Sequence, residues 1–190
     1  MKIVVGLGNP GAEYEKTRHN AGALALFYAA KKFKFSDWGP AKKYESLASE
    51  GKVADKKMLF LFPQTFMNNS GKAARGMNPK NLTVIHDDVD LPLGSIKISF
   101  GRGSGGHNGI ESIIRALKTR NFTRIRIGVA PRTKPDHKKM PSFLTSAFRA
   151  DELKKLSPVF KKIAEALECI ATDLPRSKAG GPERAMNRFN

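Results

Sequence analysis

Apolar residues recur in short blocks along this chain, and the spacing inside each block sets the element it predicts. Lys2 to Val5 is a β-branched run closed by a glycine-rich turn, Gly6 to Gly11, and reads as a buried strand. A polar connector, Ala12 to His19, follows. Asn20 then stands where it can cap a helix from Ala21 to Phe35, with Leu24, Phe27, Tyr28 and Lys31 at turn spacing. Tyr44 to Ala48 and Met58 to Phe62 predict two more strands, the second ended by Pro63. Ser49 to Lys57 between them is polar, contains Gly51, and reads as a hairpin loop. Asn69 to Met77 predicts a short helical piece that ends before Asn78-Pro79. Leu82 to Ile85 is a strand that runs directly into His86-Asp87-Asp88-Val89-Asp90.

Ile96 to Phe100 predicts a further strand, a glycine-rich loop comes next, and a helix from Asn108 to Leu117 follows at once. Ile125 to Val129 is a strand alternating with Arg124 and Arg126, and Pro131 ends it. Pro131 to Pro141 is proline-rich and basic and is expected to be mobile. The last long pattern places Leu153, Leu156, Val159, Phe160, Ile163, Leu167 and Ile170 on one helical face. Pro158 interrupts it: Ser157 can cap a helix with Pro158 at its first position, leaving Asp151 to Leu156 as a separate turn. Strands alternating with helices, plus one hairpin, imply a single α/β domain over residues 1–174 with a mixed, twisted sheet covered by helices on both faces. Residues 175–190 are polar, basic and glycine-containing, and read as a partly disordered tail.

Charge narrows the class. Lys and Arg number 34 against 17 Asp and Glu, a formal net charge of +17, which favours a polyanionic partner such as nucleic acid. No apolar stretch is long enough to span a bilayer, and MKIVVGLGNPG is too short in its apolar run for a secretory signal. The single cysteine, Cys169, excludes an intrachain disulfide and fits a cytoplasmic, reducing setting; its helical apolar context reads as packing.

The pattern G-x-G-x-x-G occurs twice, at Gly6, Gly8 and Gly11 and at Gly101, Gly103 and Gly106. In the first, Pro10 removes a backbone donor and the next helix begins too late to meet a pyrophosphate. The second opens a helix immediately, but Arg132 stands where an acid would hold a ribose, so a phosphorylated dinucleotide remains a minor alternative. No G-x-x-x-x-G-K-[ST] is present. Both loops otherwise read as tight strand-to-helix turns, and both carry amides to the rim of the sheet: Asn9 in one, His107-Asn108 at the end of the other.

Asn9, His19, Asn68, Asp87 and Asn108 lie at the carboxyl ends of predicted strands or just beyond them, the edge at which open α/β sheets bind ligands. His86-Asp87-Asp88 has metal-ligand types, but no second His/Asp cluster accompanies it, so no metal is expected. With these residues in view, GLGNPG (6–11), TRHNAG (17–22), FMNNSG (66–71), HDDVDLPLG (86–94), SGGHNG (104–109) and RIRIGVA (124–130) resemble, in order and spacing, the signature blocks of the bacterial-type peptidyl-tRNA hydrolase family.

That resemblance implies a monomeric, cytoplasmic α/β enzyme that cleaves the ester between a peptide and the 3′ end of tRNA without metal or organic cofactor. It implies His19 as the catalytic base, Asp87 as its carboxylate partner, and Asn9, Asn68 and Asn108 as cleft amides, with Asn9 or Asn68 also serving the oxyanion. Tyr14, Met67 and His107 fall at its cleft positions, and Lys97 and Arg126 at positions that hold tRNA phosphate, with Lys138 and Lys139 adding diffuse attraction. A rival of another class is a non-enzymatic RNA-binding homologue that keeps the fold. Three departures stand out. The segment between FMNNSG and HDDVDLPLG is short, so its helix must be truncated. Ser99 stands at a usually basic position, and after Ala130 only Ser142-Phe143-Leu144 resembles the family's lid segment.

Overall fold

The computed structural model describes residues 1–131, 133, 135–172 and 180–190. Its strands are β1 (Lys2–Gly6), β2 (Gly39–Ala41), β3 (Ser46–Val53), β4 (Lys56–Pro63), β5 (Leu82–Pro92), β6 (Ile96–Phe100) and β7 (Thr123–Ala130). They form one mixed sheet in the order β2-β3-β4-β1-β5-β7-β6. The central pairings β4–β1, β1–β5 and β5–β7 are parallel, and antiparallel pairings finish both edges, β2–β3–β4 on one side and β7–β6 on the other.

Parallel strands are buried on both faces, which is why Ile3 to Val5 of β1 and Met58 to Phe62 of β4 are continuous apolar runs, whereas β7 alternates with Arg124 and Arg126. Val4, Phe60, Ile85 and Ile125 point to one side, against Leu26 of α1 (Ala21–Lys32) and Leu156, Ile163 and Leu167 of α4 (Ala150–Ala171). Val5, Leu61 and Val84 point to the other, against Ile110 and Ile113 of α2 (Asn108–Leu117) and Met67 and Ala74 of a 3-10 helix, Met67–Ala74. Two shorter helices complete the chain, α3 (Met140–Thr145) and α5 (Gly181–Phe189). Helix α1 lies unusually close to the sheet: a Cβ on Gly22 would fall on the carbonyl oxygen of Ile85. That approach brings the residues just before α1 to the carboxyl ends of β1 and β5.

Several elements differ from the sequence expectation. Asn20 makes no side-chain cap on α1, because its amide is engaged elsewhere, and the helix stops at Lys32. The expected loop from Ser49 to Lys57 is mostly strand. The real turn is Ala54-Asp55, both at positive φ as a two-residue hairpin requires, and Gly51 sits inside β3 where a Cβ would strike the Phe35 ring. Strand β5 does not stop at Ile85: the polar run His86 to Asp88 continues its pairing with β7. The truncated helix expected after FMNNSG is a 3-10 helix throughout. Helix α4 is continuous, with Pro158 inside it and no break at Ser157. Residues 180–190, read as tail, are ordered: Ala185 of α5 is fully buried, and the Asn190 amide bonds both the N–H (2.6 Å) and C=O (2.9 Å) of Ile98, pairing with the open edge of β6. Arg132 and residues 173–179 lie outside the described residues.

No helix among the described residues is long and apolar enough to cross a membrane.

Candidate active site

The site begins with the two glycine-bearing turns and the polar end of β5. After β1, the chain from Leu7 to Asn9 is tied to the start of α1: the Asn9 N–H donates to Asn20 Oδ1 at 2.8 Å and Asn20 Nδ2 donates back to the Asn9 carbonyl at 2.9 Å. Asn20 thus serves the turn as a second strand would. Asn9 in turn accepts from the Met67 N–H on its Oδ1 at 2.8 Å. Its oxygen is therefore occupied, and the Nδ2 donors are the end it has left to offer.

His19 sits in a single 3-10 turn, Arg18–Asn20, that leads into α1. Its Nδ1 lies 3.0 and 3.1 Å from the two oxygens of Asp87. Asp87 is 1% exposed, and it also receives His107 Nε2 at 3.0 Å. The His107 Nδ1 accepts from the N–H groups of Gly109 (3.1 Å) and Ile110 (3.3 Å), so the ring caps α2. A nitrogen that accepts twice carries no proton, which places the His107 proton on Nε2, where it donates to Asp87. The same carboxylate draws the His19 proton to Nδ1 and leaves the lone pair on Nε2.

Burial opposes both charges here, and the pair overcomes it. Desolvation would lower the His19 pKa, yet the Asp87 charge and hydrogen bond leave it raised above 6.5. Desolvation would raise Asp87, yet the two imidazoles hold it far below the ordinary carboxylate range. His86, its Nδ1 donating to the Asp87 carbonyl at 2.6 Å, is pushed well below 6.5 by burial and then by His107, and stays neutral. The ligand atoms of His19, Asp87 and His107 lie within 4.8 Å of one another, the one group of metal-ligand types among the described residues. Since His107 Nε2 holds a proton, it has no lone pair for a cation, and the trio reads as a braced acid–base pair.

Two cavities meet at His19. One, about 340 Å³, is lined by His19, Asp87, His107 and Asn108. The other, about 460 Å³, is lined by Asn9, His19, Met67, Asn68 and Asn108. Met140 and Leu144 of α3 border both. Asn68 and Asn108 are exposed, while Asn9 and His19 are each only 8% exposed. A third hollow, about 580 Å³, shares Asp88, Asp90, Ser104 and Gly105 with the first and gathers Lys97, Arg102, Arg124 and Arg126. Arg126 Nε is paired with Asp88 at 2.6 Å; Arg124 donates to the Gly103 carbonyl at 2.9 Å, and burial followed by the Arg126 charge lowers its pKa to about 10. The Ser99 hydroxyl lies buried in the same hollow without a hydrogen-bond partner.

All five polar residues singled out in the sequence thus converge, with Met67 and His107 beside them. Tyr14 does not line either cavity; it stands behind the exposed Phe66, edge to face at 6.3 Å. The dinucleotide reading of the second glycine loop fails on the cap: His107 already occupies the α2 N–H groups a pyrophosphate would need. Sequence reasoning missed Arg18 and Glu152, joined in a buried pair beside His19, and the bridging amide of Asn20. Arg18 and Asn20 flank His19 in the TRHNAG block, so that block was the only available signal.

A family model described as peptidyl-tRNA hydrolase matches residues 3–190. The peptidyl-tRNA hydrolase of Aquifex aeolicus is 39% identical over 197 residues, spanning 100% of this chain and 96% of the relative. That of Lactobacillus delbrueckii subsp. bulgaricus is 38% identical, with 100% of both chains covered. The crystal structure of peptidyl-tRNA hydrolase from Acinetobacter baumannii superposes with a TM-score of 0.85 at 25% identity, covering 100% of this chain and 96% of that one.

Proposed function

The chain belongs to the peptidyl-tRNA hydrolase family, and we propose that it cleaves the peptide–tRNA ester by direct attack of a water that His19 activates. The observation that carries this reading is His19, which lines both cavities, with its Nδ1 held by a carboxylate that His107 braces from the other side, so that Nε2 keeps its lone pair. Nε2 takes a proton from water as the oxygen bonds to the ester carbonyl carbon. Asp87 stabilises the imidazolium that forms and keeps the ring oriented. The Nδ2 donors of Asn9 answer the developing oxyanion. When the tetrahedral species collapses, the C–O bond to the ribose breaks and the proton on Nε2 passes to the departing oxygen. No covalent acyl-enzyme arises.

Asn68 and Asn108 bind main-chain amides of the peptide or the terminal ribose, groups common to every substrate, which suits an enzyme that must accept many peptides. Lys97 and Arg126 meet tRNA phosphate in the adjoining hollow, where charge rather than base identity is read. The enzyme works as a monomer and needs no metal.

The test is release of the acyl amino acid from N-acyl-aminoacyl-tRNA in EDTA, by the wild type and by His19→Ala. Turnover that survives EDTA and falls about 10²-fold or more in the variant is the expected result. Wild-type protein that binds tRNA and releases nothing would sink the proposal and favour an RNA-binding role.

A further inference from the structure

The residue before the base is an arginine with almost no access to water. Arg18 Nη2 donates to both Glu152 oxygens, at 2.9 and 2.7 Å, and the two side chains are 8% and 9% exposed. Its Nη1 donates to the Ser146 carbonyl (3.1 Å), the Ser146 hydroxyl (2.7 Å) and the Ala147 carbonyl (2.9 Å). The guanidinium lies 4.6 Å from the Phe143 ring centre and 5.3 Å from that of Phe148. Glu152 accepts in addition from the Arg149 N–H at 2.8 Å, at the start of α4. The backbones match: Arg18 N–H donates to the Ser146 carbonyl at 3.2 Å, and Phe148 N–H to the Lys16 carbonyl at 2.9 Å.

One side chain thus ties together three pieces: the turn that holds His19, the carboxyl end of α3, and the first turn of α4. Helix α3 supplies Met140 and Leu144 to both cavities that meet at His19. Stability alone does not call for such a pair, since apolar residues of similar volume in place of a buried ion pair often hold a fold as well or better. An apolar pair has no donors with which to set the direction of the Ser146 and Ala147 carbonyls. A planar guanidinium, with its donors in a fixed fork, does that.

We propose that Arg18 and Glu152 are a positioning pair for the hydrolysis, setting the α3 wall against His19 and holding the His19 ring in register with Asp87. This rests on the reading of His19 as the base. Arg18 touches no reacting atom. It acts through the turn that carries its neighbour and through the wall that faces it.

The experiment compares Arg18→Met/Glu152→Met and Arg18→Lys with the wild type and with His19→Ala, measuring kcat, KM, the pH dependence of kcat/KM, and thermal unfolding. The double variant is expected to unfold cooperatively near the wild-type Tm, yet to lose about tenfold to a hundredfold in kcat, as small misplacements of catalytic groups do. Its acid limb is expected at lower pH, because a His19 ring out of register with Asp87 loses the interaction that raises its pKa. Arg18→Lys retains a charge for Glu152 without the fork, and the same direction of change is expected. A folded double variant with wild-type kcat and an unmoved acid limb overturns the proposal. So does an Arg18→Lys protein with both unchanged, whether or not the double variant folds. Full activity in His19→Ala would instead overturn the assignment of the base, a separate failure.

Discussion

Asp87 is the residue on which the site's protons depend. It sits inside β5, accepts from His19 and His107, and remains ionised despite near-complete burial. Removing its charge leaves the burial of His19 unopposed, so the His19 pKa falls instead of rising. In Asp87→Asn the acid limb of kcat/KM, set in the wild type by a histidine titrating above 6.5, should therefore move to lower pH, while the plateau drops about 10²-fold or more because the imidazole tautomer is no longer enforced. A pH–rate profile of the two proteins decides it; an acid limb that stays in place would mean that Asp87 does not control His19. That His19, Asp87 and the three amides share one rim was legible from their places at or beyond the carboxyl ends of predicted strands, while the roles assigned to them came from the resemblance of the six sequence blocks. The role of His107 was not. It depends on which ring nitrogen accepts from the α2 backbone, and only the turn geometry of residues 104–110 determines that. Arg18 was hidden for a similar reason, since its partner stands 134 residues away.

At the scale of elements, α2 and the strands other than β2 followed from apolar periodicity, β2 (Gly39–Ala41) having no such pattern, and the misreadings share a cause: a local signal lost to tertiary contact. Gly51 resembled a loop residue but makes room for Phe35, and the expected strand ended at Ile85, yet the polar run that follows it pairs with β7. Pro158 resembled a helix start, yet α4 passes through it because Leu156, Val159 and Ile163 bury one continuous face against α1 and the sheet. The ring and the unbonded Lys154 carbonyl are tolerated because Lys154, Ser157 and Pro158 all lie on the solvent side. The tolerance has a cost. Proline in a helix interior is unfavourable by up to about 3 kcal/mol, so Pro158→Ala should stabilise the protein, each kcal/mol appearing as roughly 2–4 °C in Tm for a chain of this size. Calorimetry checks it. An unchanged or lower Tm would mean that α4 needs the shape the proline imposes.

For the molecule as a whole, the net charge of +17 matters where it adjoins the site. The hollow with Lys97, Arg102, Arg124 and Arg126 opens beside the His19 cavity, so a polyanion seated on these cations can present its end to His19. The cations are not equivalent. Lys97 is exposed, whereas Arg126 is already paired with Asp88 and Arg124 is buried, with one nitrogen on the Gly103 carbonyl. A phosphate that meets Arg126 must compete with Asp88, so that contact neutralises little phosphate charge and releases little counterion from the RNA, whereas a contact with Lys97 releases more. Replacing Lys97 by Gln should therefore raise KM for N-acyl-aminoacyl-tRNA, leave kcat nearly unchanged, and reduce the slope of log affinity against log salt by about one. Arg126→Gln, tested the same way, should change that slope less, even though both positions carry a full positive charge in the sequence. Measured salt slopes for the two variants separate the possibilities. A larger loss at Arg126 than at Lys97 would mean that Asp88 yields its partner freely, and that the ion pair seen here opens when tRNA arrives.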